Sequence, residues 1–201
     1  MPMKEPGPGD ALLVVDVQND FMPGGALGVR RGDEVIAPIN RLIDCWTAAD
    51  LPVFLTRDWH PPEHCSFAAQ GGPWPVHCVA GTEGARFAPA LHVPEVATLV
   101  SKATLRLEEA YSALHGTGLA DELRRASIGR IFIGGLATDY CVRATAADAR
   151  AAGFQVVVLT DAVRAVDVNP GDGERAIEEM VAGGALLSTT DEVLAAMEHP
   201  A

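Results

Sequence analysis

The chain has no apolar run approaching the roughly eighteen residues that a membrane span needs, so nothing in it reads as a transmembrane helix. Positive charge is scarce: 15 Lys and Arg stand against 27 Asp and Glu, a net charge of −12. Such a surface repels phosphates, which argues against nucleic acid and anionic membrane as partners and mainly favours solubility. Cysteine is sparse too. Cys45, Cys65, Cys78 and Cys141 are widely spaced and form no C-x-x-C pair, so a redox dithiol has no support. The opening MPMKEPGPGDALLVVDVQ lacks the basic, apolar and small-residue order of a signal peptide. A cytoplasmic location is therefore expected, where thiols stay reduced and at least one is free for chemistry. Internal repeats, linkers and low-complexity tracts are also missing.

What is present suits one globular domain: 201 residues, 48% of them hydrophobic. Residues 1–10 read as a flexible tail and 11–201 as a single domain. Short apolar runs occur at 11–16, 52–57, 97–102, 130–135, 154–160 and 185–188. Being apolar on both faces, they fit strands buried in a parallel sheet. Helical stretches fall between them. Residues 33–49 place Val35, Ile39, Leu42, Ile43 and Trp46 on one face, with Pro38 in the first turns where proline costs least. Further helices are expected over 119–126, 139–152 (closed by Gly153), 173–182 and 191–198, the last with Thr190 as N-cap. This alternation predicts an α/β three-layer sandwich, a mainly parallel six-stranded sheet flanked by helices. Residues 58–96 break the pattern. A loop of that length in a compact domain is usually functional or disordered, and its Trp59, Phe67, Trp74 and four histidines favour function.

In open parallel sheets, ligands bind beyond the carboxyl ends of the strands. Asp16 closes the first run, Lys102 closes the third, and Cys141 follows the fourth after the turn Gly134-Gly135-Leu136-Ala137-Thr138-Asp139. Each has an ordinary reading, as a turn cap, a solvated lysine and a small core residue. Their joint placement on one rim favours chemistry. With Thr138 or Asp139 as N-cap, Cys141 lies in the first turn of a helix, which should lower its thiol pKa, and a nearby Lys102 should lower it further. Unpaired backbone N–H groups there could hold an oxyanion. Asp58 and His60, two residues apart in an extended segment, can face one ion, with His64, Ser66 and His77 following. A site of two histidines and a carboxylate with open positions suits zinc, iron or manganese. By itself a D-x-H pair equally fits solvated loop residues.

At these residues the chain resembles the isochorismatase-like cysteine hydrolases, and within them the nicotinamidases. VVDVQNDFMPGGAL (14–27), TRDWHPPEHCSF (56–67) with GGPWPVHCVAGTEGARF (71–87), and GLATDYCVRATAADA (135–149) carry the resemblance. It implies a catalytic triad of Asp16, Lys102 and Cys141. It also implies a divalent metal, zinc before iron or manganese, on Asp58, His60 and His77. The family's fourth metal position falls on Ser66, directly or through water, with His64 as the competing candidate. The same resemblance gives Phe21 and Trp74 as walls around a pyridine ring, with Leu136 and Ala137 lining the pocket. A cis peptide before Ala137 would make the Ala137 and Cys141 N–H groups the oxyanion hole. Ala103, Leu114 and Glu109 depart from common nicotinamidase residues and bear on rim shape.

The implied reaction is hydrolysis of nicotinamide to nicotinate and ammonia through a cysteine thioester, a step of NAD salvage, with pyrazinamide also accepted. Asp16 would take the thiol proton while Lys102 steers it. Rival readings are a ureido or carbamoyl amidase, which lacks the D-x-H loop, and an isochorismatase, which does not use the cysteine. A catalytically silent scaffold would have lost triad members. Metal identity and assembly, including any homo-oligomer, stay open.

Overall fold

The structure is a computed structural model and describes residues 5–198. Six strands form one sheet: β1 (Asp10–Val15), β2 (Val53–Asp58), β3 (Thr98–Lys102), β4 (Arg130–Leu136), β5 (Gln155–Arg164) and β6 (Leu186–Ser188). The order is β3-β2-β1-β4-β5-β6 and every pairing is parallel. The five helices are α1 (Ile36–Ala48), α2 (Leu119–Arg125), α3 (Arg143–Ala151), α4 (Asp172–Ala182) and α5 (Thr190–Glu198). None of them is long and apolar enough to cross a membrane.

The period-two alternation of strand side chains splits the core in two. Leu12 and Val14 of β1, Leu55, Phe132 and Val157 face α1 and α5, where Ile39, Leu42, Trp46 and Val193 cover them. Ala11, Leu13 and Val15, with Ile131, Ile133 and Val158, face α2, α3 and α4 through Leu119, Leu123, Ala146 and Met180. The central strands are therefore buried on both sides, which is why their sequences read as continuous apolar runs.

Several boundaries differ by a few residues from the sequence reading, and two of the differences have clear local reasons. Asp10, placed in the tail, opens β1: it pairs with Arg130 at 2.6 Å, and its carboxylate also accepts the Gly7 N–H at 2.8 Å. Residues 1–4 of the expected tail lie outside the described residues. The N-cap of α5 is Thr189 rather than Thr190. Thr189 Oγ1 accepts the Glu192 N–H at 3.3 Å, while Glu192 accepts the Thr189 N–H at 3.0 Å, a reciprocal capping box.

The strand order reverses direction between β1 and β4. At such a switch point the two outgoing connections diverge and leave a crevice at the carboxyl end of the sheet. Gly135 shapes this end. Its φ is +121°, and a Cβ there would collide with the Val15 carbonyl, so only glycine lets β4 pass β1 in this register.

Candidate active site

Asp16 directly follows β1 with a left-handed φ of 50°. Its side chain is fully buried, and Thr56 Oγ1 on neighbouring β2 donates to its Oδ1 at 2.7 Å. Lys102 ends β3, two strands away from β1. Its long side chain spans the end of β2, placing Nζ 3.0 Å from Asp16 Oδ2 and against Asp58 Oδ1. The same ammonium donates to the Ala110 carbonyl at 3.2 Å and to Cys141 Sγ at 3.4 Å. The three residues expected to share a rim are thus in contact, and Asp58 joins them.

Electrostatics here follow burial as much as charge. Burial pushes the Asp16 carboxyl up, and the attraction of Lys102 offsets only part of that. Burial also opposes the charged form of Asp58, but the Lys102 ammonium outweighs it and holds Asp58 well below the usual carboxylate range. Desolvation acts against the Lys102 ammonium, yet Asp16 and Asp58 outweigh it and hold the proton firmly. The expectation of a lowered thiol pKa is reversed. Burial raises Cys141 well above its ordinary value, Lys102 pulls it down less, and the negative charges of Asp16 and Asp58 add to the rise. The resting nucleophile is therefore biased toward its thiol form, close to the Asp16 carboxylate. Asp16 is a base of raised proton affinity at the atom that must lose the proton, which is the arrangement general-base catalysis needs.

Cys141 sits in a wide π-type turn, Thr138–Val142, that leads into α3. Such turns are frequent at functional sites. Neither Thr138 nor Asp139 caps it. The N-cap is Ala137, without a side-chain hydrogen bond. Asp139 instead accepts the N–H groups of Val166 and Asp167, at 3.0 and 2.9 Å, and so ties the turn to the segment after β5. The Leu136–Ala137 peptide is cis. Ala137 and Cys141 both line the pocket, and the first N–H groups of a helical turn lack intrahelical acceptors, so this end can meet a developing oxyanion. Leu136 is fully buried, in the same apolar cluster as the pocket residues Phe21 and Ala137.

Asp58, His60 and His77 place their ligand atoms within 4.8 Å of one another, all buried. His60 Nδ1 donates to the Ala103 carbonyl at 3.2 Å, and His77 Nδ1 donates to the Pro75 carbonyl at 2.8 Å. Each Nε2 then carries a lone pair. His60 Nε2 is buried without a hydrogen-bond partner and lies 3.6 Å from Asp58 Oδ2. An orphaned imidazole lone pair facing a carboxylate is costly without a cation, so these residues fit a divalent ion. Burial lowers the pKa of His77 and keeps it in the neutral, ligating form. His64 stands apart from the cluster, and both of its ring nitrogens are engaged, one with Ser66 Oγ at 2.7 Å and one with the Glu108 carbonyl at 3.0 Å.

Phe21, Trp74 and His77 line a pocket whose floor is Cys141, Ala137 and Asp58. The sequence reading missed Leu27, Tyr111, Tyr140 and Val166, which complete it. Trp74 Nε1 donates to the Tyr111 hydroxyl at 3.0 Å, and Tyr140 packs edge-on to Trp74 at 5.0 Å. These are the only two tyrosines in the chain, a scarcity that could have flagged them. Gln18 was also missed. Fully buried, its amide accepts the Asp58 N–H at 2.8 Å and donates to the Asp58 carbonyl at 2.8 Å, which clamps the metal-site carboxylate to the loop after β1.

The isochorismatase domain family matches residues 10–192. A nicotinamidase of Escherichia coli strain K12 is 41% identical, over 90% of this chain and 95% of its own length. Among solved structures, the pyrazinamidase of Pyrococcus horikoshii in complex with zinc is 49% identical with a TM-score of 0.87, covering 90% of this chain and 99% of that one. A protein of L. infantum, crystallised with nicotinate, is 33% identical with a TM-score of 0.86, covering 96% and 98%. Family match, relatives and fold agree: the chain belongs to the isochorismatase-like hydrolases, on their nicotinamidase branch.

Proposed function

We propose that this chain hydrolyses nicotinamide to nicotinate and ammonia, with Cys141 as nucleophile, Asp16 as general base and acid, and a divalent ion on Asp58, His60 and His77. One observation carries the reading. A thiol, a carboxylate and an ammonium meet beside a two-histidine, one-carboxylate cluster, inside a pocket with aromatic walls. The relatives that act on nicotinamide and pyrazinamide, and the zinc in the archaeal pyrazinamidase, support it. Zinc is the metal we favour. Residues 11–201 read as a single hydrolase domain, supported by one continuous sheet.

When bound, the ion would offer a ligand position to the pyridine nitrogen and so fix the ring's orientation. Phe21 and Trp74 hold the ring from its sides. Asp16 takes the thiol proton as Cys141 attacks the amide carbon. Lys102, held by two carboxylates, keeps Asp16 aimed and favours the transient thiolate. The Ala137 and Cys141 N–H groups receive the oxyanion. Asp16 then passes its proton to departing ammonia and next activates the water that cleaves the nicotinoyl thioester.

Ammonia release across a panel of amides tests the substrate class. Nicotinamide and pyrazinamide should turn over, while ureido and carbamoyl compounds should not; the opposite ranking would remove the reading.

The pH profile tests the base. Asp16 must be deprotonated to act, and burial raises its pKa. As pH falls, kcat/KM of the zinc-saturated enzyme should therefore drop with a midpoint above the ordinary carboxylate range. An acid limb at or below that range would show that a different group is titrating.

A further inference from the structure

Asp58 closes β2 and His60 follows it, whereas His77 comes from further along the loop between β2 and β3. What joins the two stretches is backbone. The His60 N–H donates to the Cys78 carbonyl at 3.0 Å, and the Ala80 N–H donates to the His60 carbonyl at 2.8 Å. Across this short parallel bridge the His60 and His77 rings stand 4.8 Å apart. Cys78 therefore governs the spacing of the two imidazoles: His77 is its neighbour in the chain, and its carbonyl holds His60. Yet its φ is +44°, a left-handed conformation that residues other than glycine seldom adopt. Such a conformation persists only where the surroundings hold it. Asp20 supplies the hold, because its Oδ2 accepts the Cys78 N–H at 2.7 Å. A hydrogen bond to an ionised acceptor is about twice as strong as a neutral one. Asp20 is itself tied down: its N–H donates to the Gly84 carbonyl at 3.0 Å, and its carbonyl accepts the Leu27 N–H at 2.9 Å. Gly84 leaves room for the carboxylate, since a Cβ there would collide with it.

We propose that Asp20 is a positioning residue for the metal centre: by holding the Cys78 N–H it fixes the spacing of His60 and His77, and Gly84 lets its carboxylate reach that N–H. This rests on the metal reading above. The same short loop after β1 carries Gln18, which clamps the Asp58 backbone, and Phe21, which walls the pocket. One loop thus grips both halves of the metal cluster and sets the ring wall against them. Partners behind the ligands typically account for about 10–100-fold in metal affinity.

The test is zinc affinity of the full chain, measured by competition with a chromophoric chelator and read beside the unfolding midpoint of the metal-free protein. Asp20→Ala removes the acceptor and should weaken zinc binding about tenfold or more. Asp20→Asn keeps a carbonyl oxygen for the Cys78 N–H and should restore most of that affinity. Gly84→Ala displaces the carboxylate from the opposite side and should also weaken zinc binding. Added to Asp20→Ala it should cost nothing further, because the atoms it would strike are gone. Unchanged zinc affinity in Asp20→Ala would overturn the proposal even if the unfolding midpoint falls, since Asp20 would then serve stability alone. Losses that multiply in the double variant, or Asp20→Asn binding as poorly as Asp20→Ala, would overturn it equally. Should Asp20→Ala fail to fold, the other two single variants decide: Gly84→Ala must lose affinity and Asp20→Asn must keep it, and the reverse contradicts the proposal. Wild-type protein that takes up no zinc sinks the metal reading and this proposal with it. Tight zinc binding by wild type and Asp20→Ala alike sinks this proposal alone.

Discussion

Cys141→Ala is expected to abolish ammonia release from nicotinamide, with kcat falling on the order of 10⁶-fold, the scale of removing a covalent-catalysis nucleophile. The physical reason is that no other group in the pocket can take over the attack. Asp16 and Asp58 are held by the Lys102 ammonium, and Cys78 is buried with a thiol that desolvation drives far above its ordinary value. Binding of the ring should survive. Phe21, Trp74 and the metal-site residues are untouched by the change, and Lys102 keeps Asp16, Asp58 and the Ala110 carbonyl as partners after losing the sulfur. Steady-state ammonia release and equilibrium binding of nicotinamide, measured on the same preparation, separate the two effects. Residual turnover within about a hundredfold of wild type would take the nucleophile's role away from Cys141.

His60→Ala should have the next largest effect. It removes one of three clustered ligand atoms, and zinc affinity should fall by more than the roughly 10–100-fold typical of outer-shell changes. Asp58 stays in place, because Lys102 holds its carboxylate and Gln18 holds its backbone. The loss would thus reflect the missing imidazole rather than a collapsed loop. KM for nicotinamide should rise with the lost metal, since the ring would lose its fixed point. Full metal content with unchanged KM would show that the ion, if there is one, sits elsewhere.

The sheet was readable because its central strands are buried on both faces, and so their sequences are unbroken apolar runs such as ALLVV and RIFIGG. The rim positions of Asp16, Lys102 and Cys141 followed from strand ends alone. Their contact did not. It depends on β2 lying between β3 and β1 and on a lysine long enough to cross it. The shift of the thiol was misjudged because helix position and a nearby cation are visible in a sequence, whereas complete burial is not. Gln18, Tyr111 and Tyr140 act through contacts between loops far apart in the chain, and local periodicity carries no trace of such contacts.

The central claim is that a cysteine and a divalent ion act together on a pyridine carboxamide. The most direct measurement is nicotinate formation by the purified chain before and after chelation, and after zinc is returned, with metal analysis of each sample. The predicted result is one metal per chain with activity, loss of both on chelation, and return of both with zinc. Undiminished nicotinate formation by metal-free protein, or none by the zinc-loaded protein, would contradict it.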